Sequence, residues 1–397
     1  MKVETRVWLI GVAYAGFVVL GLSSALLGVA WPSIRGSFGL SLDAVGSLMI
    51  AGTVGYLLSS FVSGPAISRI GVGPFLAISS LIAGVSLLGC AWAPAWWVLV
   101  LIGFVRGIGG GAIDAGLNTY FATNHSASLM NWLHASFGLG AALGPAIVTA
   151  VLGAGWSWRW SYVFAGAAQM LFAVLFGGTR SHWRLAGTEA DQSSPGASTD
   201  RVRGGATLRL PVVWFGIAMF VMFTGIEGTA GQWPYTLFTE ARSIAPATAG
   251  LWMSVYWASL TLGRIVFGIV GDRFRITSAV RACMLGITLG SALLAWNAFD
   301  LLGFLGLALI GFWLGPLFPL EISDTPRRVG NAHAPNAIGF QVAAASLGIA
   351  ALPGLAGVLA ESIGLEIIGP FLLVASIVMV LLHEMIVHRT RAARRVS

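Results

Sequence analysis

Apolar runs long enough to cross a lipid bilayer recur along this whole chain, which excludes water-soluble fold classes before any single residue is weighed. A hydrocarbon core about 30 Å thick needs about 17 to 25 residues of helix. Such runs can be marked at about 8 to 30, 43 to 63, 74 to 94, 97 to 120, 127 to 152, 160 to 178, 212 to 237, 247 to 270, 277 to 296, 299 to 321, 335 to 359 and 366 to 387. The expectation is an all-α membrane protein of twelve transmembrane helices, with the lipid bilayer as its first partner. Composition agrees, since 57% of the 397 residues are hydrophobic and only 9% are charged. The first run follows Lys2 and Arg6 as a secretory signal would, but it outlasts the about 7 to 15 apolar residues of a signal core, so a retained helix is expected.

Charge then orients the set. With the N-terminus inside, seventeen Lys and Arg, from Lys2 and Arg6 to Arg394 and Arg395, fall in cytoplasmic segments, against Arg35, Arg159 and Arg242 outside. This predicts both termini in the cytoplasm, in a plasma or inner membrane. The same asymmetry accounts for the net charge of +7. No nucleic-acid partner is needed to explain it, and no base-reading motif is present. Cys90 and Cys283 fall near opposite ends of their runs, so both are expected as unpaired packing residues.

The two halves of the chain repeat each other. Trp31-Pro32 ends the first run and Trp233-Pro234 the seventh (233 − 31 = 202). Gly64 and Arg69 close the second, Gly268 and Arg273 the eighth (273 − 69 = 204). Ile102-Gly-Phe104 matches Ile310-Gly-Phe312, and Leu139-Gly140 matches Leu347-Gly348 (347 − 139 = 208). Four matches in one order, at a slowly drifting spacing, point to a duplicated six-helix unit. Between the halves, Thr188 to Asp200 is rich in Ser, Asp, Gly and Pro and flanked by arginines. Two pseudo-symmetric six-helix bundles, 1–178 and 210–397, joined by a flexible cytoplasmic linker over 179–209, are therefore expected. In carriers built from parallel repeats the solute site lies between the halves near the bilayer midplane.

One stretch breaks the apolar pattern. From Arg106 to Pro145 the chain places Arg106, glycines at 107 and 109 to 111, Asp114, Asn118, a short polar turn, Asn131, His134 and the tail Gly138-Leu-Gly-Ala-Ala-Leu-Gly-Pro145. Ionisable groups at bilayer depth cost about 2.5 to 3.5 kcal/mol each on insertion scales, so they need a partner or a water-filled cavity. Asp114 shares a helical face with Asn118 and Phe121, at spacings of four and seven. His134 lies at a similar depth in the next run, within reach of a direct or water-bridged contact. Asp114 is the leading candidate for a proton-binding group, set against a structural acid bonded to neighbouring helices. His134, whose ordinary pKa is near working pH, relays protons or is satisfied by a carbonyl.

Gly64-Pro-Ala-Ile-Ser-Arg-Ile-Gly71 and Gly268-Ile-Val-Gly-Asp-Arg-Phe274 resemble the two copies of the signature loop of the major facilitator superfamily. Gly107 to Asn118, Phe223-Thr-Gly-Ile-Glu227, Gly263-Arg-Ile-Val-Phe-Gly268 and Gly315-Pro-Leu-Phe-Pro319 resemble its fucose/galactose and glucose/mannose proton-symporter branch. The resemblance covers nearly the whole chain. It departs at Ser68, where the signature loop usually carries an acid, and in the first helix, where fucose carriers have an acid and this chain has none.

The resemblance implies the major facilitator fold and gives roles to further residues. Arg106 would tune a coupling acid, or else clamp a neighbouring helix through its carbonyls. Glu227 would bind a proton or sugar hydroxyls, or close a gate through a salt bridge. Arg69, Arg264, Asp272 and Arg273 would form a conformational latch. A pyranose offers an apolar face to aromatic rings and hydroxyls to amides, so Trp31, Trp233, Trp252, Tyr256, Trp257, Phe340 and Gln341, with Asn118 and Asn131, are candidates for a sugar wall; the tryptophans also suit interface anchoring. The expectation is a monomeric secondary carrier that imports a sugar or similar small solute with a proton, or with sodium in its place, and without a cofactor. The alternatives are a proton-coupled exporter of amphipathic compounds and a membrane enzyme or transport-dead sensor. The sequence has no phosphate-binding loop, metal-ligand cluster or paired nucleophile and base, so ATP-driven transport and enzyme chemistry are not expected.

Overall fold

The computed structural model describes residues 3–125, 127–184, 204–270, 273–296, 298–330 and 332–396. The described chain is helical throughout: α1 (Val3–Ser24), α2 (Leu26–Phe38), α3 (Val45–Ile70), α4 (Val72–Trp92), α5 (Trp96–Asn124), α6 (Ala127–Gly153), α7 (Arg159–Gly178), α8 (Gly204–Thr207), α9 (Pro211–Gln232), α10 (Pro234–Thr236), α11 (Pro246–Val270), α12 (Ile276–Trp296), α13 (Asp300–Leu314), α14 (Leu317–Val329), α15 (Ala334–Ile363) and α16 (Ile368–Val396). Helix is what lipid permits, because each backbone N–H and C=O finds its partner within the segment. Eleven segments among the described residues are long and apolar enough to cross a membrane, α1 and α2 forming one and α13 and α14 another. The twelfth expected crossing is α11, 25 residues from Pro246 to Val270.

Two compact units make up the chain, Met1–Ser194 with Ile244–Ser254, and Pro195–Ser243 with Val255–Ser397. In the first, small residues set the helix pairs. A Cβ on Gly140 of α6 would strike the Val18 carbonyl of α1, and one on Gly107 of α5 would strike the Gly52 carbonyl of α3. The second unit repeats both contacts. Gly348 of α15 meets the Val221 carbonyl of α9 (348 − 140 = 208, 221 − 18 = 203), and Gly315 meets the Leu260 carbonyl of α11 (315 − 107 = 208, 260 − 52 = 208). The repeat in sequence is thus a repeat of backbone approach, the driving contact where lipid is as apolar as leucine. Gly140→Val is expected to lower stability by about 1 to 3 kcal/mol through overpacking. Cys90 and Cys283 are both buried, so a thiol-reactive dye reports the unfolding midpoint. Gly11→Val, which meets open space, serves as control, and equal midpoints in the two variants would sink the assignment.

The expected linker falls largely on residues 185–203, outside those described. Its two ends pack. Trp183 is buried, its ring 4.8 Å from Tyr120 and 5.3 Å from Phe176, and its Nε1 donates to Thr179 Oγ1 at 2.8 Å. At the other end the buried Thr207 hydroxyl meets His333 Nδ1 at 2.9 Å and accepts from Asn336 Nδ2 at 3.2 Å. Arg159 donates to the carbonyls of Ala91 and Ala93 at 2.7 to 3.3 Å, where a cation suits a helix C-terminus. Arg242 holds Glu366 through two bonds of 2.9 and 2.8 Å and the Leu294 carbonyl at 3.0 Å.

Candidate functional site

In the first unit the site is built on α5. Its glycines bring it against α3 and α4, with Gly107 on Gly52 and Gly109 on Ala83. One turn beyond Gly52, Tyr56 then points its hydroxyl at Asp114 and donates to Oδ2 at 2.5 Å. Asn118, four residues on, donates Nδ2 to Asp114 Oδ1 at 3.0 Å and to the Asp114 carbonyl at 2.9 Å. Both carboxylate oxygens therefore accept from neutral donors, a phenol and an amide. Such a group can gain or lose a proton without breaking an ion pair. Asp114, Asn118 and Tyr56 are all partly exposed, whereas Phe121 on the same face is wholly buried with its ring 5.7 Å from Tyr14.

A third group at Asp114 is thus Tyr56, which had no part in the sequence reading. The available signal was a lone tyrosine, one helical turn past Gly52, in a run of Gly, Ser and aliphatic residues. His134 lies along the α1–α6 seam, its ring edge-on to Phe17 at 5.8 Å. The Asn131 side chain is outside the described residues. Arg106 donates Nη1 to the Ser23 carbonyl at 3.1 Å. That carbonyl belongs to the break between α1 and α2, where Ser23 and Ser24 both turn their hydroxyls onto the Leu20 carbonyl at 2.9 Å. Serine back-bonding bends helices, and irregular backbone in a membrane must be satisfied by protein. Arg106 donates to that backbone, the contact that the clamp among its two considered roles would make.

In the second unit, α9 carries Glu227, whose backbone carbonyl accepts from Tyr256 Oη at 2.9 Å. Arg264, also on α11, is the cation in electrostatic reach of Glu227, and its Nε donates to the Gly315 carbonyl at 3.3 Å. Trp257 packs on Gly231 and edge-on against Tyr256 at 5.0 Å. Its buried Nε1–H has no acceptor among the described residues. Glu227, Tyr256, Trp257 and Arg264 thus come together on the α9–α11 seam.

Trp31 is fully buried, its ring 5.8 Å from Trp96, and Trp233 is fully buried with Nε1 donating to the Pro353 carbonyl at 2.9 Å. Gln341 is buried and accepts from Thr325 Oγ1 at 2.9 Å, while Phe340 and Trp252 are half-buried. Of the expected latch, Arg69 ends α3 and is exposed, Arg273 is exposed, and Asp272 lies outside the described residues.

Sequence reasoning also missed a buried charge cluster. Arg328 of α14 bonds Glu321 through Nη1 at 2.6 Å and Nη2 at 3.2 Å, and Asp324 through Nε at 2.7 Å. His383 of α16 brings Nδ1 to 3.6 Å from Glu321 Oε1. The Glu321, Arg328 and His383 side chains are only 2%, 7% and 1% exposed. Next to them Arg281 of α12 clasps Glu384 of α16 with two bonds of 2.7 Å. Spacings of three, four and seven put Glu321, Asp324 and Arg328 on one helical face, which was the available signal.

Comparison with known proteins places these arrangements in context. The profile of the Major Facilitator Superfamily matches residues 13–238 and 215–397. Bypass of stop codon protein 6 of Saccharomyces cerevisiae is 24% identical over 393 residues, 89% of this chain and 77% of its own length. The 4-hydroxybenzoate transporter PcaK of Acinetobacter baylyi is 28% identical over 173 residues, 42% of this chain and 38% of that protein. The crystal structure of the nucleoside transporter NupG superposes with a TM-score of 0.74 at 16% identity, over 98% of this chain and 99% of the other, a likeness of fold.

Proposed function

Because the chain belongs to the Major Facilitator Superfamily and is a secondary transporter of small solutes, we propose that it imports a sugar or similar polyhydroxylated solute together with a proton. The observation that carries this reading is the Asp114 carboxylate, inside a membrane-spanning helix and bonded to Tyr56 and Asn118 rather than to a cation. Glu227 and the acceptor-free Trp257 indole supply a second polar locus, fit for a hydroxyl. The tracts Gly107 to Asn118 and Phe223 to Glu227 keep the sugar and proton symporters as the branch of reference. The asymmetry of Lys and Arg supports cytoplasmic termini in an inner membrane. Arg264, between Glu227 and the Gly315 carbonyl, is the member of the expected latch with partners that a change of state would exchange.

A proton falling through about 100 mV releases about 2.3 kcal/mol, which sustains a solute gradient of roughly fifty-fold. Proteoliposomes loaded at alkaline pH and diluted into acidic buffer test this with a panel of labelled sugars. Concentrative uptake that collapses with a protonophore is expected. Uptake driven by a sodium gradient alone would move the coupling ion to sodium. Outward pumping of amphipathic dyes with no sugar uptake would replace the reading with export.

A further inference from the structure

On the second unit an apolar stripe runs down α16 through Val374, Ile377, Leu381 and Met385, all between 43% and 61% exposed. At a rise of 1.5 Å per residue it extends roughly 16 Å, comparable to an extended acyl chain of moderate length. It leads into an open groove of about 450 Å³ lined by Leu381, Glu384, Met385, His388 and Arg389. Every membrane helix meets lipid tails along such a stripe. This one ends at an arginine whose surroundings the fold defines.

The acid in the groove is already committed, because both Glu384 oxygens accept from Arg281 at 2.7 Å. Arg389 has no carboxylate partner among the described residues; its guanidinium lies 5.0 Å above the Phe215 ring of α9, which holds the charge across the α9–α16 seam without neutralising it. His388 adds a second donor at the rim. The chain continues with Arg391, Arg394 and Arg395. An open apolar groove beside a cation that no carboxylate among the described residues pairs is complementary to a phosphodiester carrying an acyl chain, and basic sites at helix ends take anionic headgroups for this reason. We propose that this groove is a binding site for an anionic phospholipid, its tail along Val374 to Met385 and its phosphate on Arg389.

The test uses the purified full chain in detergent, titrated with phosphatidylglycerol or phosphatidylcholine and read by native mass spectrometry. Phosphatidylglycerol is expected to be retained at one more equivalent than phosphatidylcholine. Arg389→Gln should weaken its retention about five-fold, the effect of one surface charge on an anionic lipid. Met385→Trp, which fills the groove and leaves the charge, should displace the same equivalent, and it decides the matter if Arg389→Gln does not fold. Soluble glycerol phosphate at matched concentration should not compete, because it lacks the tail. Equal retention of the two lipids, retention unaltered in both variants, or displacement by glycerol phosphate would each overturn the proposal.

Discussion

Asp114→Asn is expected to reduce proton-driven accumulation from as much as roughly fifty-fold to unity, while exchange of solute down its own gradient continues. The substitution keeps the shape of the side chain and an oxygen for the Tyr56 hydroxyl. It removes the group that can carry a proton. Its structural cost is small, because the new amide nitrogen faces the Asn118 Nδ2 donor and one hydrogen bond must be given up or rearranged, about 0.5 to 1.5 kcal/mol. Counterflow and concentrative uptake in the same proteoliposomes separate the two effects. Tyr56→Phe is the companion variant, since it deletes a donor to the carboxylate but leaves the carboxyl group. Accumulation that survives in Asp114→Asn would remove Asp114 from the coupling role, whereas loss of counterflow as well would mark it as a residue of solute binding or of the fold.

The second large effect lies away from that site. Arg328→Met should cost about 3 to 5 kcal/mol, because it leaves the Glu321 carboxylate buried without its cation. The loss comes from stranding a charge rather than from forgoing the worth of the pair. Arg328→Met combined with Glu321→Met should therefore recover most of the stability, since two buried partners replaced by apolar groups of similar volume are often neutral. Asp324, 15% exposed, sits nearer water and tolerates the change better. The unfolding midpoint followed through Cys90 and Cys283 compares the three proteins. A double variant as unstable as the single one would mean that His383 and Asp324 need the Glu321 carboxylate in place.

Much of the architecture was readable because its causes are local. Transfer of a helix into lipid sums over its own residues, so the apolar runs marked the crossings. The duplicated unit was readable for a similar reason. Gly140 and Gly348 match in sequence because each must admit a backbone carbonyl, Val18 in one unit and Val221 in the other. Asp114 and Glu227 stood out because acids inside apolar runs are expensive.

The partners of those groups were another matter. Helical spacing gave Asp114 its neighbour Asn118, one turn along the same helix, and the hairpin suggested His134. The fold also delivered Tyr56 from α3, and it set Arg106 on a carbonyl at the break in the first span. It also turned Trp31 and Trp233 into interior packing and gathered Glu321, Asp324, Arg328 and His383 from two helices. Hydrophobicity chooses which segments enter the bilayer, but lipid is as apolar as a leucine side chain and so does not choose which helix lies beside which. That choice falls to close approach at small residues and to polar groups that must be satisfied, and both depend on residues far apart in the chain.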